Sequence, residues 1–237
     1  MTIAGRRPFV AVVLSAALLP AVSATAQTIR PLVLEYQSQA RGRLEVVNET
    51  DRPLNVIMEP RGFSLTPSGE LQDEPLGTGI HLKFSDMSFR LPPRQSRFVF
   101  YEATSDRLPA WFVVYANFTG YPARDYSGVN VQLELPHYVY LLPKESWKAS
   151  DVRVKLIGLQ PETRKLELMV ENLGPQFGRI VSLEVEGNRR SVSIPGFPLF
   201  PGTRRRVELD LTAADEPRTV TVKSRQFSFS QKLTIEQ

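Results

Sequence analysis

The chain has 237 residues, 42% of them hydrophobic, and 29 Lys+Arg against 25 Asp+Glu for a formal charge of +4; this suits one or two packed domains and excludes a disordered chain. It contains no cysteine and only two histidines. That excludes disulfides, thiolate chemistry and Cys-ligated centres, and leaves too few groups for a catalytic triad or a transition-metal site.

The first 26 residues read as a leader. Arg6 and Arg7 form a basic n-region, Phe9 to Val22 a short apolar h-region, and Ala24-Thr25-Ala26 a small-x-small cleavage site, so the mature chain is expected to begin at Gln27. The Arg6-Arg7-Pro8-Phe9 run matches a twin-arginine signal only in part, and the ordinary secretory route is the expectation. Without the two leader arginines the charge of +4 becomes +2, which is no signature of nucleic-acid binding. No later stretch is apolar enough to span a bilayer, so a soluble, exported protein without stable membrane insertion is expected.

From Gln27 onward one short strand follows another. Leu32 to Tyr36, Arg43 to Asn48 and Leu54 to Met58 read as the first three, with Asn48 to Pro53 as turn chemistry between the last two. Thr66 to Gly79 reads as a polar loop. Phe84 to Leu91, Arg97 to Tyr101 and Trp111 to Thr119 supply further strands. In Gly128 to Pro143, Val129, Val131, Leu133 and Leu135 alternate with Asn130, Gln132 and Glu134, the pattern of a half-buried strand. His137 to Leu142 is apolar on both faces apart from His137, and Pro143 ends the run. A strand that begins one-sided and ends two-sided predicts a domain edge running into an interdomain junction. About seven such strands suit an immunoglobulin-like sandwich.

A second set follows Trp147. Val152 to Leu159, Leu166 to Asn172, Ile180 to Val185, Ser191 to Ile194, Val207 to Leu211, Thr219 to Val222 and Phe227 to Ile235 read as strands, with Glu186-Gly187-Asn188 as a hairpin turn. The expected fold class is all-β, two immunoglobulin-like β-sandwich domains. The expected segments are a signal peptide at 1–26, an N-terminal domain at 27–146 and a C-terminal sandwich at 147–237.

Several phrases in this order resemble the periplasmic chaperones of chaperone–usher pilus assembly, the PapD-like proteins. LEVVNETDRPLNVIMEP is similar to the family's second and third strands with their turn. FRLPPRQSRFVFYE is similar to its Arg-Leu-Pro-Pro-Gly hairpin, with Arg94 where glycine is usual. LPAWFVVYANF is similar to its sixth strand, and VNVQLELPHYVYLLP to its last strand with the closing proline. VENLGPQFGRIVSLEV and IPGFPLFPGTRRRVEL resemble second domains of the archaic and spore-coat-like branches.

The resemblance implies a protein that caps pilus-like subunits by β-strand addition and hands them to an outer-membrane usher in the periplasm. It implies Val129, Val131, Leu133 and Leu135 as the donor row. Each could contribute roughly 1.5 to 3 kcal/mol if fully buried on binding, less the costs of ordering and association. The other reading of this row is that it faces the domain's own core. A structural or adhesive surface protein of two sandwiches is the alternative function.

The chain also departs from the family. Aligned on Pro143, Tyr138 stands at the Lys that anchors a subunit's terminal carboxylate, and about Leu32 stands at the partnering Arg. Arg30 is the nearest basic residue and the candidate carboxylate anchor; its other reading is an exposed strand-edge charge. Leu142 and about Trp111 replace the family's interdomain Arg and Glu. His137 and His81 read as packed or surface residues, and Asp73-Glu74 and Asp215-Glu216 as solvated loop charges. Arg204-Arg205-Arg206 with Arg189-Arg190 reads as alternating outward charge or as a basic patch. No phosphate loop or dinucleotide fingerprint occurs, so no enzyme, cofactor or metal is expected.

Overall fold

The computed structural model describes residues 27–120, 132–160, 162–188, 190–211 and 216–233. These form two β-sandwiches in sequence order. The first contains β1 (Gln27–Arg30), β2 (Val33–Gln37), β3 (Ala40–Asn48), β4 (Leu54–Leu65), β5 (Leu71–Glu74), β6 (Ile80–Phe84), β7 (Ser88–Leu91), β8 (Gln95–Ser105), β9 (Ala110–Gly120) and β10 (Gln132–Leu142). Its sheets run β1-β3-β8-β6 and β2-β10-β9-β4-β5, with β7 pairing the start of β4.

The second contains β11 (Val152–Gln160), β12 (Lys165–Asn172), β13 (Gly178–Glu186), β14 (Ser191–Leu199), β15 (Arg204–Asp210), β16 (Thr219–Ser224) and β17 (Ser228–Lys232). Its sheets run β11-β12-β15 and β14-β13-β16-β17. One 3-10 turn, Ala149–Asp151, precedes β11. Among the described residues no helix is long and apolar enough to cross a membrane.

Alternation builds both cores. In β3, Leu44 and Val46 are buried between exposed or half-buried neighbours, and they meet Val99 and Tyr101 of β8, Val56 and Met58 of β4, and Phe112 and Val114 of β9. In β12, Leu166, Leu168 and Val170 turn inward toward Ile180, Leu183, Val220 and Val222. Trp147 belongs to this second core. β13 and β14 form the expected hairpin, in the register Val185↔Val192, with Glu186 still paired to Ser191 so that the turn follows it. β14 continues to Leu199 through Pro195 and Pro198, which an outer strand bonded only to β13 tolerates.

Each sandwich fixes a strand end with a buried asparagine. Asn48 donates through Nδ2 to the carbonyls of Arg52, Leu91 and Pro92, and its Oδ1 accepts from Thr50 N–H and Oγ–H. Asn172 donates to the carbonyls of Gln176 and Leu199 and accepts from Gly174 N–H and Trp147 Nε1–H. Satisfying both ends of a buried carboxamide avoids the cost of an orphaned polar group.

A third cluster joins the sandwiches. Phe63, Val113, Tyr115 and Tyr140 of the first meet Phe177 and Phe200 of the second, with Trp111, Tyr138 and Leu142 at the margin. The Trp111 and Phe200 rings lie 4.5 Å apart and those of Tyr140 and Phe177 4.6 Å. Beside the cluster the β4–β5 hairpin rests on β15, where Arg206 N–H donates to the Pro67 carbonyl at 2.8 Å.

The expected Thr66–Gly79 loop contains strand β5 and, at its hairpin tip, Gly69 at φ +88. The Arg204–Arg206 run is not a uniform basic patch. Arg206 pairs with Glu167, whereas Arg205 faces the other way, under Gly69 and over the Phe197 ring. Burial lowers the Arg205 pKa from its ordinary value. Arg189 lies outside the described residues.

Candidate protein-binding edge

β10 pairs with β9 along its whole length, from Gln132↔Thr119 to Leu141↔Ala110. On its other side it has a neighbour only from Tyr138 onward, where β2 runs parallel in the register Tyr138↔Val33 to Leu142↔Gln37. The first bond of that ladder is Tyr138 N–H to the Leu32 carbonyl, 2.8 Å.

The cause lies in the first strand. At Arg30-Pro31 the chain passes from one sheet to the other, because β1 pairs with β3 while β2 pairs with β10. Among the described residues no strand is hydrogen-bonded to Gln132–His137 on the β2 side, and in this sense the lane is vacant; β1 lies near β10 but pairs with β3.

Strand periodicity then says which groups face the vacancy. Tyr138 N–H points toward the β2 lane, so Pro136, Glu134 and Gln132 direct their backbone groups the same way. Pro136 has no N–H, and a proline there costs no ladder bond and weakens promiscuous pairing at the open edge. Glu134 and Gln132 retain donors and acceptors for an incoming strand.

The side chains grade along the same strand. Leu133 and Leu135 are half-buried and pack against the margin of the first core, while Val139 and Leu141, on the same face, are fully buried within it. On the opposite face Gln132 and Glu134 are exposed, whereas Tyr138, Tyr140 and Leu142 enter the cluster between the sandwiches. Val129 and Val131 lie outside the described residues.

His137 stands where the two halves of β10 meet, and it is fully buried. Its Nδ1 lies 2.6 Å from the Pro31 carbonyl and its Nε2 3.0 Å from the Tyr101 hydroxyl, which lies 3.1 Å from that of Tyr36. A carbonyl only accepts, so Nδ1 carries the proton and Nε2 accepts from Tyr101. The imidazole therefore ties the sheet-switching point of the first strand to β10 and β8. Burial lowers the His137 pKa and raises that of Tyr101.

Arg30 lies on the outside of the other sheet. Its Nε donates to Glu45 at 2.8 Å across the β1–β3 pairing, and its side chain is well exposed. Leu32 is 53% exposed at the corner of the vacant lane. Beside the edge, Arg61 bonds to Glu59 and Asp73 at 2.8 and 2.9 Å and lies 3.6 Å from Glu134. The hydrogen bonds it donates to the Glu59 and Asp73 carboxylates raise its pKa.

Where the resemblance implies a charged interdomain pair, Trp111 and Leu142 make apolar contacts. Among the described residues the ion pairs between the sandwiches are instead Glu35 with Arg179 at 2.8 Å and Glu35 with Arg225 at 3.4 Å. Alternation in the sequence marks β10. The open side is set by the sheet switch at Arg30-Pro31, whose meaning depends on which strands become neighbours.

No family model matches the sequence, and no curated protein is similar to it at a significant level. Solved structures are similar in fold. The class 5 fimbriae chaperone CfaA superposes with a TM-score of 0.57 at 10% identity, covering 89% of this chain and 100% of that one. The Pseudomonas aeruginosa CupB2 chaperone gives 0.50 at 14% identity, covering 87% and 100%. A chain of the Salmonella enterica SafA pilin–SafB chaperone complex gives 0.52 at 13% identity, covering 88% and 97%. The protein has the two-domain β-sandwich fold of fimbrial chaperones.

Proposed function

We propose that this protein is a periplasmic chaperone that caps pilus-like subunits by lending them β10 and supports their delivery to an outer-membrane usher. The observation that carries the reading is the vacant lane beside Gln132–His137 with half-buried Leu133 and Leu135 on the strand that borders it. A client strand entering the lane gains main-chain bonds to Gln132 and Glu134, and the row Val129, Val131, Leu133 and Leu135 supplies register and apolar contact. Two structures of the same fold are of a chaperone with a pilin and of a chaperone with a tip adhesin, which supports a protein subunit as the client class.

In this reading residues 1–26 are the leader, 27–146 the client-binding domain and 147–237 the second sandwich. Arg30 can clamp a client's terminal carboxylate only by leaving Glu45, so side-chain register in the β10 row is the principal determinant.

The test is recovery of the tagged chain from periplasm with a small β-rich partner, compared with its Leu135→Arg variant. The wild type should carry the partner and the variant should lose it, because a guanidinium would enter an apolar groove unpaired. Equal recovery by a folded Leu135→Arg chain would leave the two-sandwich surface protein as the better reading.

A further inference from the structure

The outward face of the sheet β1-β3-β8-β6 carries a hollow that the β10 edge does not use. Its floor is the backbone where Gly42, Tyr101 and Phe84 stand in register across β3, β8 and β6. Arg41, Arg43, Lys83, Phe100 and Glu102 wall a space of about 530 Å³, within the size range of binding pockets.

Two features set this face apart. Phe98 and Phe100, two residues apart on β8, are 43% and 53% exposed, an apolar patch turned to solvent. Around them cations outnumber anions. Arg41 lies 3.8 Å from Glu102, both well exposed. Arg43 stacks 4.6 Å over the Phe98 ring. Among the described residues neither Arg43 nor Lys83 lies within ion-pair distance of a carboxylate. The nearby Glu45 is already engaged by hydrogen bonds from Ser96 and Arg30, which lower its pKa. Three cations, Arg41, Arg43 and Lys83, thus face two carboxylates, Glu102 and the Arg30-paired Glu45 that Arg43 also attracts, beside an exposed aromatic pair.

We propose that this face docks an acidic segment of a partner protein: a short extended run of Asp or Glu carrying one aromatic or long aliphatic side chain. The apolar side chain lies against Phe100 in the hollow, and the carboxylates meet Arg41, Arg43 and Lys83. Aromatic residues and arginine are the types enriched at protein interfaces. The charge excess makes an acidic segment the complementary partner. The face belongs to the sheet that does not contain β10, so a client on the β10 edge leaves it open, and the inference does not rest on that edge.

The test is fluorescence anisotropy of the purified chain with a labelled acidic octapeptide bearing a central phenylalanine. Binding should weaken with added salt. It should fall about tenfold in Phe100→Ala and about tenfold in Arg43→Glu. It should fall further in the double variant Arg43→Glu, Lys83→Glu, with unchanged thermal melts because all three side chains are exposed. Absence of binding by the wild type would overturn the proposal. So would equal binding of an octapeptide with Asn and Gln in place of the acids, or wild-type affinity in the double variant. Binding of phosphatidylglycerol vesicles that is lost in the same variants, without peptide binding, would reassign the face to a membrane surface and also overturn it.

Discussion

The two halves of β10 share a strand, a neighbour in β9 and an apolar row, and they differ in one respect. From Tyr138 to Leu142 the strand lies between β9 and β2, and Val139 and Leu141 are fully buried. From Gln132 to His137 it has β9 alone, and Leu133 and Leu135 are half-buried. Apolar alternation does not distinguish the halves. What distinguishes them is the point at which the first strand leaves the second sheet, at Arg30-Pro31. An open edge here is made by removing a neighbour from a strand that would otherwise be interior.

The largest effect that would break this comparison is a charge in the closed half. Val139 stands opposite Phe112 on one side and Leu34 on the other with no exposed surface. Val139→Arg should cost more than about 4 kcal/mol, the range of an unpaired charge forced into a core, and the first sandwich should fail to fold. A variant melting within a few degrees of the wild type would show that the closed half is not closed.

The joint between the halves gives a pH-dependent effect. His137 has an ordinary pKa of about 6.5 in the unfolded chain, and burial lowers it in the folded one. The unfolded state therefore binds more protons below pH 6.5. The stability contributed by neutral His137 is fully present above that pH and is lost as pH falls through the folded value, with a slope of at most about 1.4 kcal/mol per pH unit. His137→Gln keeps a donor for the Pro31 carbonyl and an acceptor for Tyr101 without titrating. Denaturant melts at pH 7 and 5.5 should show a drop for the wild type and a smaller one for the variant. Equal drops would remove His137 from the acid sensitivity of the fold.

The readability of the sequence follows the same division. Strands that alternate over their own length, such as β3 and β12, are plain from residues 43–48 and 166–172, and the continuous apolar run 111–119 marks β9, which is buried on both faces. The β13–β14 turn is equally plain. The single expected strand from Leu32 to Tyr36 is instead the second of two pieces, because β1 lies on the other sheet. Sheet switching depends on long-range pairing and leaves only Pro31 as a local trace. β6 leaves an equally faint trace: in Ile80–Phe84 a half-buried row alternates with His81 and Lys83 over only five residues. The β10 row was legible as apolar, and its partial exposure was not, since exposure depends on where β2 stops.

A smaller effect sharpens the contrast between the β10 edge and the junction between the sandwiches. Gly69 has φ +88, and a Cβ there would fall on the Arg205 guanidinium. Gly69→Ala should cost about 1–2 kcal/mol through backbone strain and displacement of Arg205. It should loosen the β4–β5 hairpin from β15, so limited proteolysis should cut the variant faster between Pro67 and Glu70. Unchanged cleavage would mean that the hairpin contact does not depend on this close approach.

The smallest expected loss of stability is the most informative about the comparison. Leu133 lies six residues before Val139 on the same face of the same strand, but the lane beside it is vacant. In Leu133→Arg the aliphatic stem can keep part of the leucine's contact while the guanidinium reaches solvent through that lane. The loss should be about 1 kcal/mol, a fraction of the roughly 1.5–3 kcal/mol that full burial of a leucine contributes. The difference from Val139→Arg should therefore exceed about 3 kcal/mol in paired denaturant melts, although both changes put arginine for an aliphatic residue in one row. If Leu133→Arg is as unstable as Val139→Arg, the open half belongs to the first core and no strand is available to lend. If it is stable, the row is free to be covered by another chain, and its effect on client capture then reads the binding edge without interference from folding.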